Sequence, residues 1–167
     1  AIFIINPTYF GATPDLKKIV EYAHEKNIIV LVDEAHGSHF YFNSTLPITA
    51  MDANADMATL SIHKTGGSLT QSSLLLIKST LVDIEDVNNA FNLITTTSPS
   101  NILLASLDAS RKFLVFKGEK EIKKAIDLCV KAKDLINKID GFRVLDKEYF
   151  LSHGCSDYDT TKLVIRI

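Results

Sequence analysis

The chain has 167 residues, of which 46% are hydrophobic and 23% charged, and its formal net charge is −2. This composition predicts a globular protein with a substantial core, and its interspersed charges provide no basic surface for nucleic acid or for a membrane. The two cysteines predict neither a disulfide framework nor a zinc site, and no stretch is apolar enough to span a bilayer, so we expect a cytoplasmic protein without a bound metal.

The sequence begins and ends inside apolar stretches that are typical of strands. The first covers Ala1–Ile5 and the last covers Lys162–Ile167. Strands without flanking residues are unusual at natural termini, because unpaired sheet edges have to be covered or blunted. We therefore expect the sequence to be a piece of a longer chain.

The N-terminal part of the sequence predicts a strand–helix–strand unit. The strand at 1–5 is followed by an Asn-Pro loop at 6–11 and by Thr13–Asp15, whose Thr-Pro-Asp sequence favours the start of a helix. Apolar residues with helical spacing follow, and the continuous apolar run 28–33 then predicts a strand buried on both faces. The crossover between two such strands is expected to be right-handed.

The rest of the sequence predicts further strands, then mainly helices, and a division into two domains. Gly141 and the alternating pattern after it open a smaller C-terminal α/β domain, so we expect domains at 1–139 and 140–167. The other predicted elements are strands at 57–61 and 73–77, a helix from Asp83 to a break at 95–100, and helices at 101–116 and 119–138. Together these elements predict an α/β fold with a mainly parallel sheet flanked by helices.

Three loops rich in polar residues come directly after predicted strands. They cover residues 6–11, 33–39 and 61–68. Ligands of open α/β sheets bind in the crevice outside the carboxyl ends of the strands. We therefore predict a ligand site where these three loops meet.

The run Asp33–His36 (D-E-A-H) has two interpretations. It could hold magnesium beside ATP, as in nucleic-acid helicases, but such a site needs a phosphate loop of the form G-x-x-x-x-G-K-[ST], which this sequence lacks. It could instead place a carboxylate at the end of a strand for different chemistry. The nucleotide-binding module is therefore the less favoured alternative.

Lys64 is the second candidate for chemistry, because it lies between an apolar strand and a Gly-Gly-Ser turn. A lysine amine can attack a carbonyl carbon, while Ser61, His63 and the backbone N–H groups of 66–68 suit a phosphate. Pyridoxal 5'-phosphate carries both an aldehyde and a phosphate, and its pyridinium nitrogen needs a carboxylate such as that of Asp33. These residue types therefore predict a pyridoxal-phosphate site.

Residues 61–73 read S-x-H-K-x-x-G-S-x-T-Q-S-S. This motif resembles the cofactor attachment site of the Orn/Lys/Arg decarboxylase family. Further stretches resemble that family in its order and at about its spacing: N-P-T-Y-x-G at 6–11, V-D-E-A-H-G-x-H-F at 32–40, L-P at 46–47 and T-S-P-S at 97–100. The resemblance implies part of the large domain of a pyridoxal-phosphate-dependent transferase, with a fold of the aspartate-aminotransferase type.

The resemblance also implies roles for the residues around Lys64. Lys64 would hold the cofactor as a Schiff base and later move protons, and Asp33 would pair with the pyridinium nitrogen. Ala35, two positions after Asp33 on the same side of an extended segment, would pack on the cofactor ring. Ser61 and His63 would hold the phosphate.

Two further roles depend on the substrate and on a second subunit. His36 would approach the phenolic oxygen of the cofactor or the carboxylate of the substrate. Because sites of this family lie at a dimer interface, Thr97 or Ser98 would reach the phosphate of the neighbouring subunit. The expected assembly is therefore a homodimer or a higher homo-oligomer.

The function implied by the resemblance is that of a lyase, which decarboxylates a small-molecule amino acid. The substrate would be lysine, ornithine or arginine, and the products a polyamine-type amine and CO2. The alternatives are an aminotransferase or another lyase on the same fold, and a catalytically lapsed relative that acts through dimer contacts. The residues that select the reaction are mostly outside this sequence.

The sequence departs from the family pattern in two respects. Gly66 stands where a larger apolar residue is common, and we expect it to loosen the turn after Lys64. The upstream phosphate loop and the ring-stacking histidine of the family are missing, so this sequence alone is not expected to form a competent site. Among other polar residues, we expect His24 on the surface, Asp56 capping or preceding a strand, and His39 either packed under the sheet or in the site.

Overall fold

The computed structural model describes all 167 residues, which include eight strands and six α-helices. In chain order these are β1 (Ile2–Ile5), β2 (Ala12–Thr13), α1 (Leu16–His24), β3 (Val30–Asp33), β4 (Met57–Leu60), α2 (Ile62–Thr65), β5 (Leu74–Ile77), α3 (Ile84–Ile94), α4 (Asn101–Phe113), α5 (Glu119–Ile136), β6 (Arg143–Leu145), α6 (Lys147–Ser152), β7 (Asp157–Tyr158) and β8 (Val164–Arg166).

The central sheet has four strands in the order β1–β3–β4–β5. β3 pairs in parallel with both neighbours, and its last residue, Asp33, lies opposite Ile5 of β1 and Thr59 of β4. β5 runs antiparallel to β4. The predicted mainly parallel sheet is therefore confirmed. The carboxyl ends of β1, β3 and β4 lie at one edge of this sheet, so the three polar loops leave it at neighbouring points, as predicted.

Helix α1 packs against the sheet through one apolar face. Leu16, Val20 and Ala23 recur at helical spacing, are all buried, and belong to the same core cluster as the buried residues of β3 and β4. Burying a side chain the size of leucine or valine stabilises a fold by about 1.5–3 kcal/mol. Asp15 caps the helix by accepting a hydrogen bond from the Lys18 N–H, so the helix begins where the Thr-Pro-Asp sequence predicted.

Helices α4 and α5 are continuous, whereas the sequence predicts two separate helices. A π-helical turn at Leu114–Gly118 joins them. Gly118 is buried against Phe42, and a Cβ at Gly118 would lie 3.1 Å from the Cβ of Phe42. The glycine therefore permits close packing inside a helix instead of ending it. None of the helices combines the length and the apolar character needed to cross a membrane.

The residues after 139 form two small sheets. β7 pairs antiparallel with β2, and β6 pairs antiparallel with β8. The β2–β7 pair connects the C-terminal segment with the loop that follows β1. The division into domains at 1–139 and 140–167 stays a prediction.

Asp56 connects α1, β3 and the end of β5 through hydrogen bonds. Its carboxylate accepts from the Val30 N–H at 2.8 Å, from His24 Nε2 at 2.9 Å and from the Ser79 hydroxyl. Burial opposes ionisation of Asp56, but these hydrogen bonds outweigh it and hold the pKa of the carboxyl below its ordinary value. His24, predicted to be a surface residue, is thus the half-buried partner of this carboxylate.

Glu34 is buried at the carboxyl end of β3. It accepts hydrogen bonds from the Tyr41 hydroxyl at 2.6 Å and from the Ala50 N–H at 2.8 Å, with the Asn6 amide at 3.5 Å. Burial raises the pKa of Glu34 to about 7, although these donors favour the charged form. Glu34 therefore connects the loop after β1 with the segment between β3 and β4.

We expect Glu34 to make folding stability depend on pH. Its pKa rises from 4.5 to about 7 on folding, so its contribution is complete below pH 4.5 and is lost as the pH rises through 7. The loss is at most about 3 kcal/mol. Glu34→Gln removes this dependence, so the urea-unfolding free energies of the full-length protein and of the variant should diverge between pH 4.5 and 7.5.

The exposed Glu148→Gln variant is the matched control for a lost carboxyl group. It should reproduce the pH dependence of the unsubstituted protein. Parallel stability curves for the unsubstituted protein and Glu34→Gln would contradict a raised pKa at Glu34.

Candidate active site

Lys64 lies on α2, the short helix that follows β4, and its side chain is exposed. Its Nζ lies 3.3 Å from Nε2 of His36, which comes from the loop after β3. The two side chains line an open pocket of about 530 Å³ together with Tyr9, Phe10, Thr65 and residues 162–165. The structure therefore brings together side chains from all three polar loops.

The turn after Lys64 is fixed by hydrogen bonds. The Gly66 N–H donates to Ile62 O at 2.8 Å, and the Ser110 hydroxyl of α4 donates to Gly66 O. A Cβ at Gly66 would lie 2.7 Å from Cγ2 of Ile62, so only glycine fits without a shift. The Thr65 and Ser38 hydroxyls, 2.6 Å apart, add a contact with the loop after β3. Gly66 thus allows a tight turn after Lys64. The expectation that it would loosen this turn is wrong.

His36 is half-buried beside Lys64. Burial, together with the positive charges of Lys64 and Lys162, lowers the pKa of His36 below its ordinary value. A neutral imidazole can accept a hydrogen bond at Nε2 from the Lys64 ammonium. The Tyr9 ring packs edge-on against His36, with 5.3 Å between the ring centroids. The structure thus places the His36 imidazole within hydrogen-bonding distance of the Lys64 amine.

Asp33 presents one carboxylate oxygen that has no partner within the chain. Its Oδ1 accepts a hydrogen bond from the Ala35 N–H at 3.0 Å, and Oδ2 makes none. Asp33 and Ala35 are both half-buried at the sheet edge that carries Lys64. The free oxygen can accept a hydrogen bond from a cationic N–H donor of a ligand.

Ser61 and His63 flank the start of α2 and keep hydrogen-bonding capacity. The Ser61 side chain makes no capping hydrogen bond. His63 Nδ1 lies 2.8 Å from the carbonyl of Ser72, which can only accept, so the Nδ1–H donates and Nε2 stays available. Thr97, by contrast, lies in the exposed segment between α3 and α4, and no hydrogen bond connects it with Lys64 or His36.

His39 is buried, and its hydrogen-bond partners lie in the C-terminal segment. The sequence alone left two positions for His39, packed under the sheet or in the site. Its Nε2 lies 3.1 Å from Oδ2 of Asp159 and 3.2 Å from the Thr161 hydroxyl. Burial opposes ionisation of Asp159, but the hydrogen bonds from His39 and Thr161 keep the pKa of its carboxyl below the ordinary value. This pair joins the loop after β3 to the C-terminal segment, 120 residues away.

The position of Glu34 argues against the nucleotide-binding interpretation of D-E-A-H. A carboxylate that acts on magnesium or on an attacking water has to face the ligand. Glu34 is fully buried and bonded to Tyr41 and Ala50 instead. The structural role of Glu34 was not predicted, because the sequence does not show which of two adjacent acidic residues is buried.

Comparison with known proteins places these residues in a family. The matching family model is described as Orn/Lys/Arg decarboxylase, major domain, and it covers residues 1–161. The arginine decarboxylase of Halalkalibacterium halodurans is 50% identical over 166 residues, which are 99% of this chain and 34% of that protein. The arginine decarboxylase of Bacillus subtilis is 46% identical with the same coverage. The chain thus spans about a third of the length of the curated relatives it matches.

Solved structures share the fold at lower identity. Constitutive lysine decarboxylase of E. coli matches with a TM-score of 0.71 and 24% identity, over 86% of this chain and 22% of that one. The cysteine desulfurase CsdA of Escherichia coli matches with a TM-score of 0.68 and 20% identity, over 98% of this chain and 42% of that one. These likenesses confirm the predicted α/β fold of the aspartate-aminotransferase type. The family model and the two arginine decarboxylases show further that the chain belongs to the Orn/Lys/Arg decarboxylase family.

Proposed function

We propose that the protein binds pyridoxal 5'-phosphate and decarboxylates a basic amino acid, releasing CO2 and a polyamine-type amine. The observation that carries this proposal is the Lys64 amine beside neutral His36, at the same sheet edge as the free oxygen of Asp33. Of lysine, ornithine and arginine, we propose arginine, because the relatives at 46–50% identity are named arginine decarboxylases.

The residues of the site suit the groups of this cofactor. The free Oδ2 of Asp33 can accept the pyridinium N–H, and Ala35 would pack on the ring, as the family resemblance implies. The Ser61 hydroxyl is available to donate a hydrogen bond to a phosphate, and His63 would donate from Nε2 as the imidazolium, since its Nδ1–H already donates to the Ser72 carbonyl. Bound there, the cofactor supplies an electron sink for the pair of electrons left on the α-carbon when CO2 departs.

Lys64 and His36 would move protons in this reaction. A lysine reacts with an aldehyde as the free amine, so its ammonium must first lose a proton. Nε2 of the neutral His36 imidazole is 3.3 Å away and can accept this proton, and the surroundings that lower the pKa of His36 then favour its onward transfer to solvent. After the carboxyl group has left, the Lys64 ammonium can return a proton to the α-carbon.

We further propose a cytoplasmic homodimer or higher homo-oligomer. Thr97 and Ser98 are exposed and lie outside the Lys64 pocket, so they are free to contribute to the site of a neighbouring subunit. Helix α3, which precedes them, buries no residue and exposes several large apolar side chains, among them Phe91 and Leu93. Exposed apolar surface of this kind is typical of interfaces.

A different reaction on the same fold is the second candidate. The match to a cysteine desulfurase over 98% of the chain favours it, since it shows that this architecture is not restricted to decarboxylases. Analysis of the products separates the two candidates. A decarboxylase releases CO2 and the amine, whereas an aminotransferase releases an oxo acid.

Labelling should identify Lys64 as the attachment lysine. We expect borohydride reduction of the full-length protein with pyridoxal phosphate to add a phosphopyridoxyl group to Lys64, located by peptide mass mapping. Lys64→Ala should remove the label, and the surface variant Lys138→Ala should retain it. A folded protein without label at Lys64 would contradict the proposed function.

Asp33→Asn should impair catalysis more than attachment of the cofactor. The amide cannot stabilise a protonated pyridine as a carboxylate does, so we expect kcat to fall by about 100-fold or more, while borohydride still labels Lys64. The exposed Asp134→Asn variant is the control and should keep full activity. A kcat within twofold of the unsubstituted protein would exclude this role for Asp33.

A further inference from the structure

A second lysine, Lys162, lines the same pocket as Lys64 and His36. No aspartate or glutamate is among the lining residues. The Lys162 ammonium has neither a hydrogen bond nor an acidic partner within the chain, whereas its neighbours Lys133 and Lys147 pair with Asp146 and Asp157 at 2.6 Å. The pocket therefore presents a cation that has no counterion.

The backbone of Lys162 is held by a buried polar network. Asp159, which is fully buried, accepts hydrogen bonds from the Thr161 N–H and hydroxyl as well as from His39. The Lys162 N–H donates to Asp159 O at 3.1 Å, and the Tyr158 hydroxyl donates to Lys162 O at 3.1 Å. A buried hydrogen-bond network of this kind is rigid, and it holds the backbone of the half-buried Lys162 in place.

The loop after β1 leaves room for the side chain of Lys162. A Cβ at Gly11 would lie 2.8 Å from Cγ of Lys162, so the glycine allows the aliphatic stem to pass. Gly11 also has a φ of +92°, and its carbonyl accepts a hydrogen bond from the Asp159 N–H at 2.8 Å. The aliphatic stem of Lys162 is thus positioned by Gly11 and Asp159, which hydrogen-bond to each other.

We propose that Lys162 binds the α-carboxylate of the amino-acid substrate. This inference rests on the proposed function, in which Lys64 is occupied with the cofactor and Lys162 is the remaining cation of the pocket. An ammonium and a carboxylate form a charge-assisted hydrogen bond, which is stronger than one between neutral groups. The positive charge of Lys162 already reaches His36, whose pKa it helps to lower.

The proposed contact has a definite kinetic consequence. The carboxylate is fully charged in the bound substrate but loses its charge as CO2 leaves, so Lys162 stabilises the ground state at least as strongly as the transition state. Lys162 therefore contributes to substrate affinity and not to the rate of bond cleavage. Substitution of a residue with a merely structural role would change both KM and kcat.

Lys162→Met tests this inference in the full-length protein loaded with pyridoxal phosphate. We expect KM for the amino acid to rise about 10- to 100-fold, while kcat is unchanged or higher. The product amine lacks the carboxylate, so its inhibition constant should not change. Calorimetric titration in a Lys64→Ala background, which cannot turn over, should show the same loss of affinity for the amino acid alone.

Two control variants accompany the test. Lys162→Arg keeps the charge and should recover most of the affinity, and Lys138→Met removes a lysine from the surface and should behave as the unsubstituted protein. Equal weakening of amino acid and amine, or no weakening of either, would overturn the proposal. A loss of affinity for pyridoxal phosphate would also overturn it, because Lys162 would then bind the phosphate.

The same experiment distinguishes failure of this inference from failure of the proposed function. If the unsubstituted protein neither takes up pyridoxal phosphate nor releases CO2 from any basic amino acid, both proposals are wrong. If it does both and Lys162→Met leaves the KM of the amino acid unchanged, only the role of Lys162 is wrong.

Discussion

The parallel pairing of β3 with β1 and β4 is the constraint on which the site depends. Asp33 lies opposite Thr59, and Ser61 follows only two residues later, so the acidic loop and the lysine loop leave the sheet at neighbouring points. A shift of one residue in this register would turn every side chain of the shifted strand to the opposite face. The buried Val30 and Val32 would then exchange faces with Leu31 and Asp33, so burial of the core valines also fixes the face to which Asp33 points.

Alternation along the chain gives two adjacent carboxylates different surroundings. Asp33 keeps an oxygen free at the sheet edge from which the Lys64 loop leaves, whereas Glu34 points into the protein and accepts hydrogen bonds from Tyr41 and Ala50. Desolvation raises the pKa of Glu34 to about 7, while the Asp33 carboxylate stays available for a ligand. One short run of sequence therefore supplies both a carboxylate with a free oxygen and a buried carboxylate that anchors the surrounding segments.

Local patterns were sufficient to predict most of the fold, because strands and helices differ in apolar spacing. The start of α1 and the positions of β3, β4 and β5 followed from such patterns. The contacts between distant polar residues did not follow, since nothing near His39 indicates that Asp159 is its partner, or near His24 that Asp56 is. The sequence predicted separate helices at 101–116 and 119–138, whereas a π-helical turn joins them at Gly118, which packs against Phe42. In the candidate site, residue types and motifs predicted Lys64, Asp33 and His36, but the approach of Lys162 to them depends on the folded C-terminal segment.

On the proposed function, the charges of the pocket distinguish the two ends of a basic amino acid. Its lining contains lysines, a neutral histidine and the aromatic rings of Tyr9 and Phe10, with no carboxylate. Such surroundings favour the carboxylate end of a substrate and repel a distal ammonium or guanidinium. The proposed function therefore requires the distal cation of the substrate to point away from Lys64 and Lys162, toward groups outside this lining. A preference among lysine, ornithine and arginine would then depend on the distance between the α-carbon and those groups, and not on Lys64.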